Sequence, residues 1–300
     1  MAKINGTYVS LHESSDSYPY YKGALEFRDT LCLAGHFFKK GPIDESDTYD
    51  FIPLPNKEDN MSSRQKARIE AILCGMLPDK ALFFTESNSA HHMTYFYVKE
   101  AAKHIAPEEK LLVVNFDQHE DSGSENSYFY CGSWGGANIC KAAGCDYLVV
   151  GPKYIDTTKF DSLAEYMEYK RQSAGQSKPA YSAKLYTRDG AMISCAPEAL
   201  SDIYGRYDKL YATVDMDVLT CAEDLKRTNW KSGYLAPLQL RAHLAEIPTG
   251  KLIAADITGF PHVDSEKLEN HRELIDSYIG DISAVAAVLC ERMGIPLVAE

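Results

Sequence analysis

The sequence predicts an α/β fold built on a parallel sheet, and three observations carry that prediction. Short apolar runs of four or five residues recur along the chain, at Ala81–Phe84, Leu111–Val114, Tyr147–Val150, Leu210–Val214 and Leu252–Ala255. Each is apolar on both faces and bounded by charge, glycine or proline, as strands are when both sides of their sheet are covered. Segments with helical spacing lie between most of them. This alternation specifies a right-handed, doubly wound α/β sheet.

Leu31–Ala34 is a candidate early strand. Arg64–Leu77 predicts a helix, with Ala67, Ile69, Ile72, Leu73 and Met76 at helical spacing. Thr94–His104, Gly136–Ala143 and Leu238–Ala245 predict crossover helices after their strands, and Ile282–Met293 predicts a closing helix. The polar stretch Arg171–Pro179 reads as a loop. The alternation resumes after it and both halves supply residues to one expected site, so residues 1–300 read as a single domain.

At 300 residues the chain is long enough to bury a full core. Its composition, 45% hydrophobic and 25% charged, is that of a globular protein. Lys+Arg minus Asp+Glu is 31 − 43 = −12, a balance that repels polyanions and argues against nucleic acid as a partner. No apolar run approaches the roughly 18 residues of a membrane span, and the first residues lack a signal-peptide core. A cytoplasmic protein is expected, acting on a small molecule without nucleic acid or membrane. The cysteine spacing Cys131…Cys140…Cys145 fits no common zinc pattern, so the eight cysteines read as free thiols. Gly132, Gly135 and Gly136 do not form a dinucleotide fingerprint.

The chemistry concentrates at three strand ends. Asp117, His119 and Asp121 stand at i, i+2 and i+4 directly after the run Leu111–Val114. In extended chain, period 2 sends all three side chains the same way, about 6–7 Å apart. Asp215 and Asp217 share a face after Leu210–Val214, and Ser89-Ala90-His91-His92-Met93 follows Ala81–Phe84. The carboxyl ends of parallel strands are where such sheets place ligands. Four carboxylates converging there would force some to hold protons. Two divalent cations relieve that conflict, and mixed Asp/His ligation suits Mn²⁺ better than a thiolate-seeking metal. One of the two adjacent histidines would complete the pair of sites.

On these residues the sequence resembles the arginase/agmatinase/formimidoylglutamase (ureohydrolase) family, over about residues 80 to 262. That family carries a Gly-Gly-Asp-His-Ser box, an Asp-x-His-x-Asp box and an Asp-x-Asp box in this order. The resemblance implies a three-layer α/β/α sandwich with a mainly parallel sheet of about eight strands and a centre of two Mn²⁺, other divalent ions being possible. It implies that His92, Asp117, Asp121 and Asp215 hold one ion and His119, Asp117, Asp215 and Asp217 the other, Asp117 and Asp215 bridging. The resemblance favours His92, with His91 falling where the family has Asp. A metal-bridging hydroxide would attack an sp² carbon. Homo-oligomers are common in the family.

Three positions depart from that pattern. Gly259 stands where the family carries a Glu that pairs with a cationic substrate. Trp134, or Ser133, stands where it carries a His. Val218-Leu219 follows the Asp-x-Asp box in place of Asp-Pro. The metal ligands read as kept and the substrate reader as changed. Asp264, Glu120 or Glu125 is a candidate replacement anion, His262 a candidate proton shuttle, and Tyr128-Phe129-Tyr130 reads as packing. The expected function is a dinuclear-metal hydrolase of a linear C–N bond in a small guanidino, amidino or formimino compound. A deacetylase-like amide hydrolase, and a metal-binding protein that has lost the activity, stay open beside it.

Overall fold

The computed structural model describes residues 8–9, 81–85, 91–123, 131–151, 183–195, 200–219, 233, 235–259 and 272–295. They form one eight-stranded sheet. Its strands are β1 (Tyr8–Val9), β2 (Ala81–Thr85), β3 (Leu111–Phe116), β4 (Asp146–Val150), β5 (Ala183–Tyr186), β6 (Met192–Cys195), β7 (Lys209–Asp215) and β8 (Leu252–Thr258). The spatial order is β1-β2-β8-β7-β3-β4-β5-β6. All pairings through β4 are parallel, and β5 and β6 add to that edge antiparallel. Five helices accompany the described strands: α1 (Met93–Ala102), α2 (Ala137–Ala143), α3 (Leu200–Gly205), α4 (Pro237–Ala245) and α5 (Arg272–Met293).

Side-chain alternation sorts the core into two layers. Leu112, Val114 and Phe116 of β3, with Leu210, Ala212 and Val214 of β7, pack on α3, α4 and α5. Leu111 and Val113, with Tyr147 and Tyr211, face the opposite way, toward Phe96 and Tyr97 of α1 and Ile139 of α2. Helices on both faces make this the α/β/α sandwich expected from the sequence. The apolar-run strands are present where the sequence places them. α5 begins ten residues earlier than Ile282, because the buried stripe Tyr278, Ile282, Val285, Leu289, Met293 continues unbroken at helical spacing.

Four elements escaped the sequence reading: β1, only two residues long, and β5, β6 and α3. β5 and β6 are short, and β5 is half-exposed, so neither shows an apolar run. Their connection carries the Asp189-Gly190 turn signal, with Thr187 N–H donating to the Ala191 carbonyl at 2.9 Å and Gly190 at φ +83°. α3, at six residues, is too short for periodicity to register. The expected strand at Leu31–Ala34, helix at Arg64–Leu77 and loop at Arg171–Pro179 lie outside the described residues.

The layer facing α1 and α2 is the one that ends in polar groups. Asn115 and Asp117 continue the face of Leu111 and Val113, while Thr213 and Asp215 continue that of Tyr211. Register aligns Asn115 with Thr213, Thr213 with Asp256, and Asp215 with Thr258, so three central strands deliver polar side chains to one rim. The floor of that rim closes tightly at Gly151, after β4. Its φ is +123°, and a Cβ there would stand 2.5 Å from the Asp117 carbonyl oxygen and 2.8 Å from a Val218 methyl. Gly151→Ala is therefore expected to destabilise the fold by about 2–4 kcal/mol, combining backbone strain with displacement of the Asp117 segment. Urea unfolding of the two proteins measures this directly, and an unchanged midpoint would contradict it.

Candidate metal centre

Backbone amides set the orientation of three carboxylates. Asp117 N–H extends the ladder of β3 by donating to the Val150 carbonyl at 3.1 Å. Asp117 Oδ1 accepts from the His119 amide at 2.6 Å, Asp217 Oδ1 from the Gln118 amide at 3.2 Å, and Asp215 Oδ1 from the Asp217 amide at 2.9 Å. The last of these caps the short turn Met216–Val218. Asn115 Nδ2, held also by Tyr147, donates to Asp117 Oδ2 at 3.0 Å.

The chain after β3 is not extended, contrary to the period-2 expectation for Asp117, His119 and Asp121. It folds back on Asp117 Oδ1, and Asp121 adopts φ +50°, the one non-glycine positive φ among the described residues. Aspartate tolerates that conformation better than most residues. The local turn is pinned by the Gly135 amide, which donates to the Asp121 carbonyl at 2.8 Å, and by Trp134 Nε1, which donates to Asp121 Oδ2 at 2.7 Å. Gly135 is required there, because a Cβ would lie 2.7 Å from the Tyr147 hydroxyl.

Two clusters of donor atoms result. His91 Nδ1 lies 2.9 Å from Asp121 Oδ2, 3.3 Å from Asp117 Oδ2 and 3.4 Å from Asp215 Oδ2. His119 Nδ1 lies 3.0 Å from Asp217 Oδ2 and 3.5 Å from Asp117 Oδ1. Asp117 turns one oxygen to each cluster, as expected of a bridging ligand. Asp215 presents Oδ2 to His91, while its Oδ1 accepts from the Asp217 amide. The expectation favouring His92 is corrected: His91 is the histidine that meets the carboxylates. His92 occupies the N-cap of α1. Successive residues entering a helix point in divergent directions, so His92, although also buried, is directed away from the carboxylates that His91 meets.

Their orientation distinguishes these contacts from ordinary ion pairs. His91 Nδ1 and Asp217 Oδ2 are buried and make no hydrogen bond, although carboxylates or imidazole stand within 3.4 Å of them. Donor atoms on adjacent corners of an octahedron with bonds near 2.1 Å stand about 3 Å apart and aim at the shared centre, not at each other. The sets His91/Asp117/Asp215 and Asp117/His119/Asp217 have that character, and each could hold a divalent cation. Asp121 adds a further oxygen beside His91.

Without cations, protons carry the balance. Burial opposes a charge on His119, yet Asp117 and Asp217 outweigh it and raise its pKa to about 11. Burial likewise opposes a charge on His91, and Asp117 and Asp121 hold its pKa well above the ordinary value. Burial followed by the Asp117 charge raises Asp217 to about 7 and Asp121 to about 6. Asp215 is pushed up by burial, then by Asp217 and Asp117. Asp117 goes the other way: burial acts against it, but contacts with His119 and His91 hold its carboxyl well below the usual range.

The remaining expected residues sort clearly. Trp134 is fully buried against His91, ring centroids 5.0 Å apart, and against Tyr147. Gly259 ends β8 at φ +90°, and its carbonyl accepts from the Tyr278 hydroxyl at 2.7 Å. A glutamate at that backbone would be strained by about 1–3 kcal/mol. Glu120 is already neutralised, in contact with Lys184 and accepting from Tyr186 at 3.0 Å, which removes it as a free replacement anion. His262, Asp264, Glu125 and Tyr128–Tyr130 lie outside the described residues. The sequence reading missed Asn115, Thr213 and Asp256. Their signal was polarity inside otherwise apolar strands. Cys140, Cys145 and Cys290 are buried free thiols, and no described helix is long and apolar enough to cross a membrane.

No family model matches the sequence. It is 25% identical over 206 residues to an uncharacterized protein of Thermotoga maritima, covering 65% of this chain and 69% of that one. Among solved structures it resembles the Entamoeba histolytica arginase in complex with L-ornithine, with a TM-score of 0.51 and 16% identity over 95% of this chain and 99% of that one. It also resembles formimidoylglutamase from Bacillus subtilis, at TM-score 0.51 and 15% identity over 98% and 88%. Proclavaminate amidinohydrolase from Streptomyces clavuligerus gives TM-score 0.50 and 18% identity over 81% and 74%. The chain has the arginase fold.

The proton balance sets a pH trend for chelator-treated protein. His119 has a folded pKa near 11 against an ordinary 6.5, so its contribution is fully present below about pH 6.5 and is lost as pH climbs toward 11. Asp217, raised to about 7, favours the protonated native state and acts in the same direction between about pH 4 and 7. Thermal melts in chelator should therefore show a midpoint that falls between about pH 6 and pH 9. A midpoint that rises over that range would refute the assignment.

Proposed function

We propose that this chain is a divergent ureohydrolase, a binuclear-metal hydrolase that cleaves a linear C–N bond in a small guanidino, amidino or formimino compound. The observation that carries the reading is the spacing and aim of the donor atoms. Two sets sharing Asp117 each gather donor atoms within 4.8 Å of one another, and His91 Nδ1 and Asp217 Oδ2 among them are buried without a hydrogen bond. The arginase fold agrees with it.

His91, Asp117, Asp121 and Asp215 would hold one ion, and Asp117, His119 and Asp217 the other. Mn²⁺ suits this oxygen-rich set with one imidazole per site, and no thiolate takes part. A bound pair of divalent cations supplies Lewis acidity and a water acidic enough to serve as nucleophile near neutral pH. The chain's own residues do the positioning. Trp134 holds Asp121 and, being fully buried, keeps water from that side. It has no titratable group and cannot pass a proton. The His119 side chain is 41% exposed, so substrate approaches from that side of the site. Gly259 offers no anion and Glu120 is paired with Lys184, so a carboxylate that reads a cationic substrate would have to come from Asp264 or Glu125, or the substrate is not a cationic guanidine. A cytoplasmic homo-oligomer acting on a small molecule remains the accompanying proposal.

Manganese-loaded protein incubated with guanidino, amidino and formimino compounds should release urea, formamide or ammonia from at least one of them. Asp217→Ala is expected to lower that turnover by three orders of magnitude or more, about 4 kcal/mol in barrier. Silence across the panel would favour a binding protein that has kept its ligands and lost the reaction. Metal analysis should return close to two ions per chain. A value near one would point instead to single-metal amide hydrolysis of the deacetylase type.

A further inference from the structure

A buried carboxylate that the reading above leaves unused sits directly behind the metal-facing histidine. Asp256, in the middle of β8, is fully buried, as are Thr213 and Tyr211 of β7. Asp256 Oδ1 lies 2.8 Å from the Thr213 hydroxyl and 2.9 Å from the Thr94 hydroxyl, while Oδ2 lies 2.7 Å from the Tyr211 hydroxyl. Thr213 Oγ1 in turn lies 3.0 Å from His91 Nε2.

Counting protons fixes the direction of this chain. The hydroxyls of Thr213, Thr94 and Tyr211 each donate to Asp256. A threonine hydroxyl has one hydrogen, and Thr213 has given it to Asp256. Its oxygen can then only accept from His91, which requires the His91 proton on Nε2. With one proton held on Nε2, the atom left to bind a cation is Nδ1, which faces Asp117, Asp121 and Asp215.

We propose that Asp256 and Thr213 are positioning residues for the metal centre, locking His91 in the Nε2–H tautomer so that Nδ1 coordinates the ion it shares with Asp117 and Asp215. The inference rests on the metal-binding reading above. The relay also ties three elements together: Thr94 belongs to the first turn of α1, Thr213 to β7 and Asp256 to β8, so the ring is aimed by the packed core and not by the loop that carries it.

The test is calorimetric titration of Mn²⁺ into chelator-stripped protein. Thr213→Val, nearly isosteric but without the hydroxyl, should weaken one of two binding events by about 10–100-fold and leave the other intact. Thr213→Ser should restore it. Asp256→Asn, which can donate to Thr213 and reverse the relay, should weaken the same event. Nitrogen-15 NMR of zinc-loaded wild type should find the His91 proton on Nε2. A Thr213→Val protein that binds both ions as wild type does, or a wild-type His91 protonated on Nδ1, overturns the inference while the metal-binding reading stands. Should Thr213→Val fail to fold, Asp256→Asn and the wild-type spectrum decide. A wild type that takes up no ion overturns both.

Discussion

The constraint on which this structure turns is the burial of like charge. Asp117, Asp121, Asp215 and Asp217 converge in a space nearly closed to water, and a buried carboxylate without a counter-charge costs several kcal/mol even after relaxation. The protein offsets this in layers. Backbone amides take one oxygen of Asp117, Asp215 and Asp217, an indole takes one of Asp121, and two imidazoles stand between the rest. What remains is a set of oxygens and nitrogens aimed at common points. The sheet makes this possible, because parallel strands bring three strand ends to one rim, where the turns after β3 and β7 supply the amides.

Much of this was legible in the sequence, for a definite physical reason. Strands covered on both faces must be continuously apolar, so Leu111–Val114, Leu210–Val214 and Leu252–Ala255 announce themselves and fix where their ends lie. A run of acidic and imidazole side chains immediately after such a strand has few structural uses. The residues that stayed hidden lack either property. β5 is half-exposed, and α3 is too short for a period to emerge. Thr213, Asn115 and Asp256 look like flaws in apolar strands until the structure pairs them.

The misreadings are equally physical. The choice between His91 and His92 depends on the rotation of the chain as it enters α1, a quantity that spacing does not encode and that shifts the answer by one residue. The expected extended geometry of Asp117, His119 and Asp121 gives way because hydrogen bonds from neighbouring loops bend the chain more cheaply than a free strand end would hold straight. Gly259 was legible as a missing carboxylate, but only the backbone at φ +90° shows that β8 ends in a conformation a side chain there would strain.

One asymmetry in the pocket reaches beyond the static picture. Every donor atom around His91 is sealed beneath protein, whereas His119 stands with two-fifths of its side chain in water. On the two-ion reading proposed above, the position beside His91 would exchange with solvent more slowly than the one beside His119. The wet one is a door and the dry one a vault, so loading and loss would proceed in a fixed sequence. A half-filled protein would keep its inner occupant, and at limiting ion supply the outer position would gate how many molecules in a population are complete.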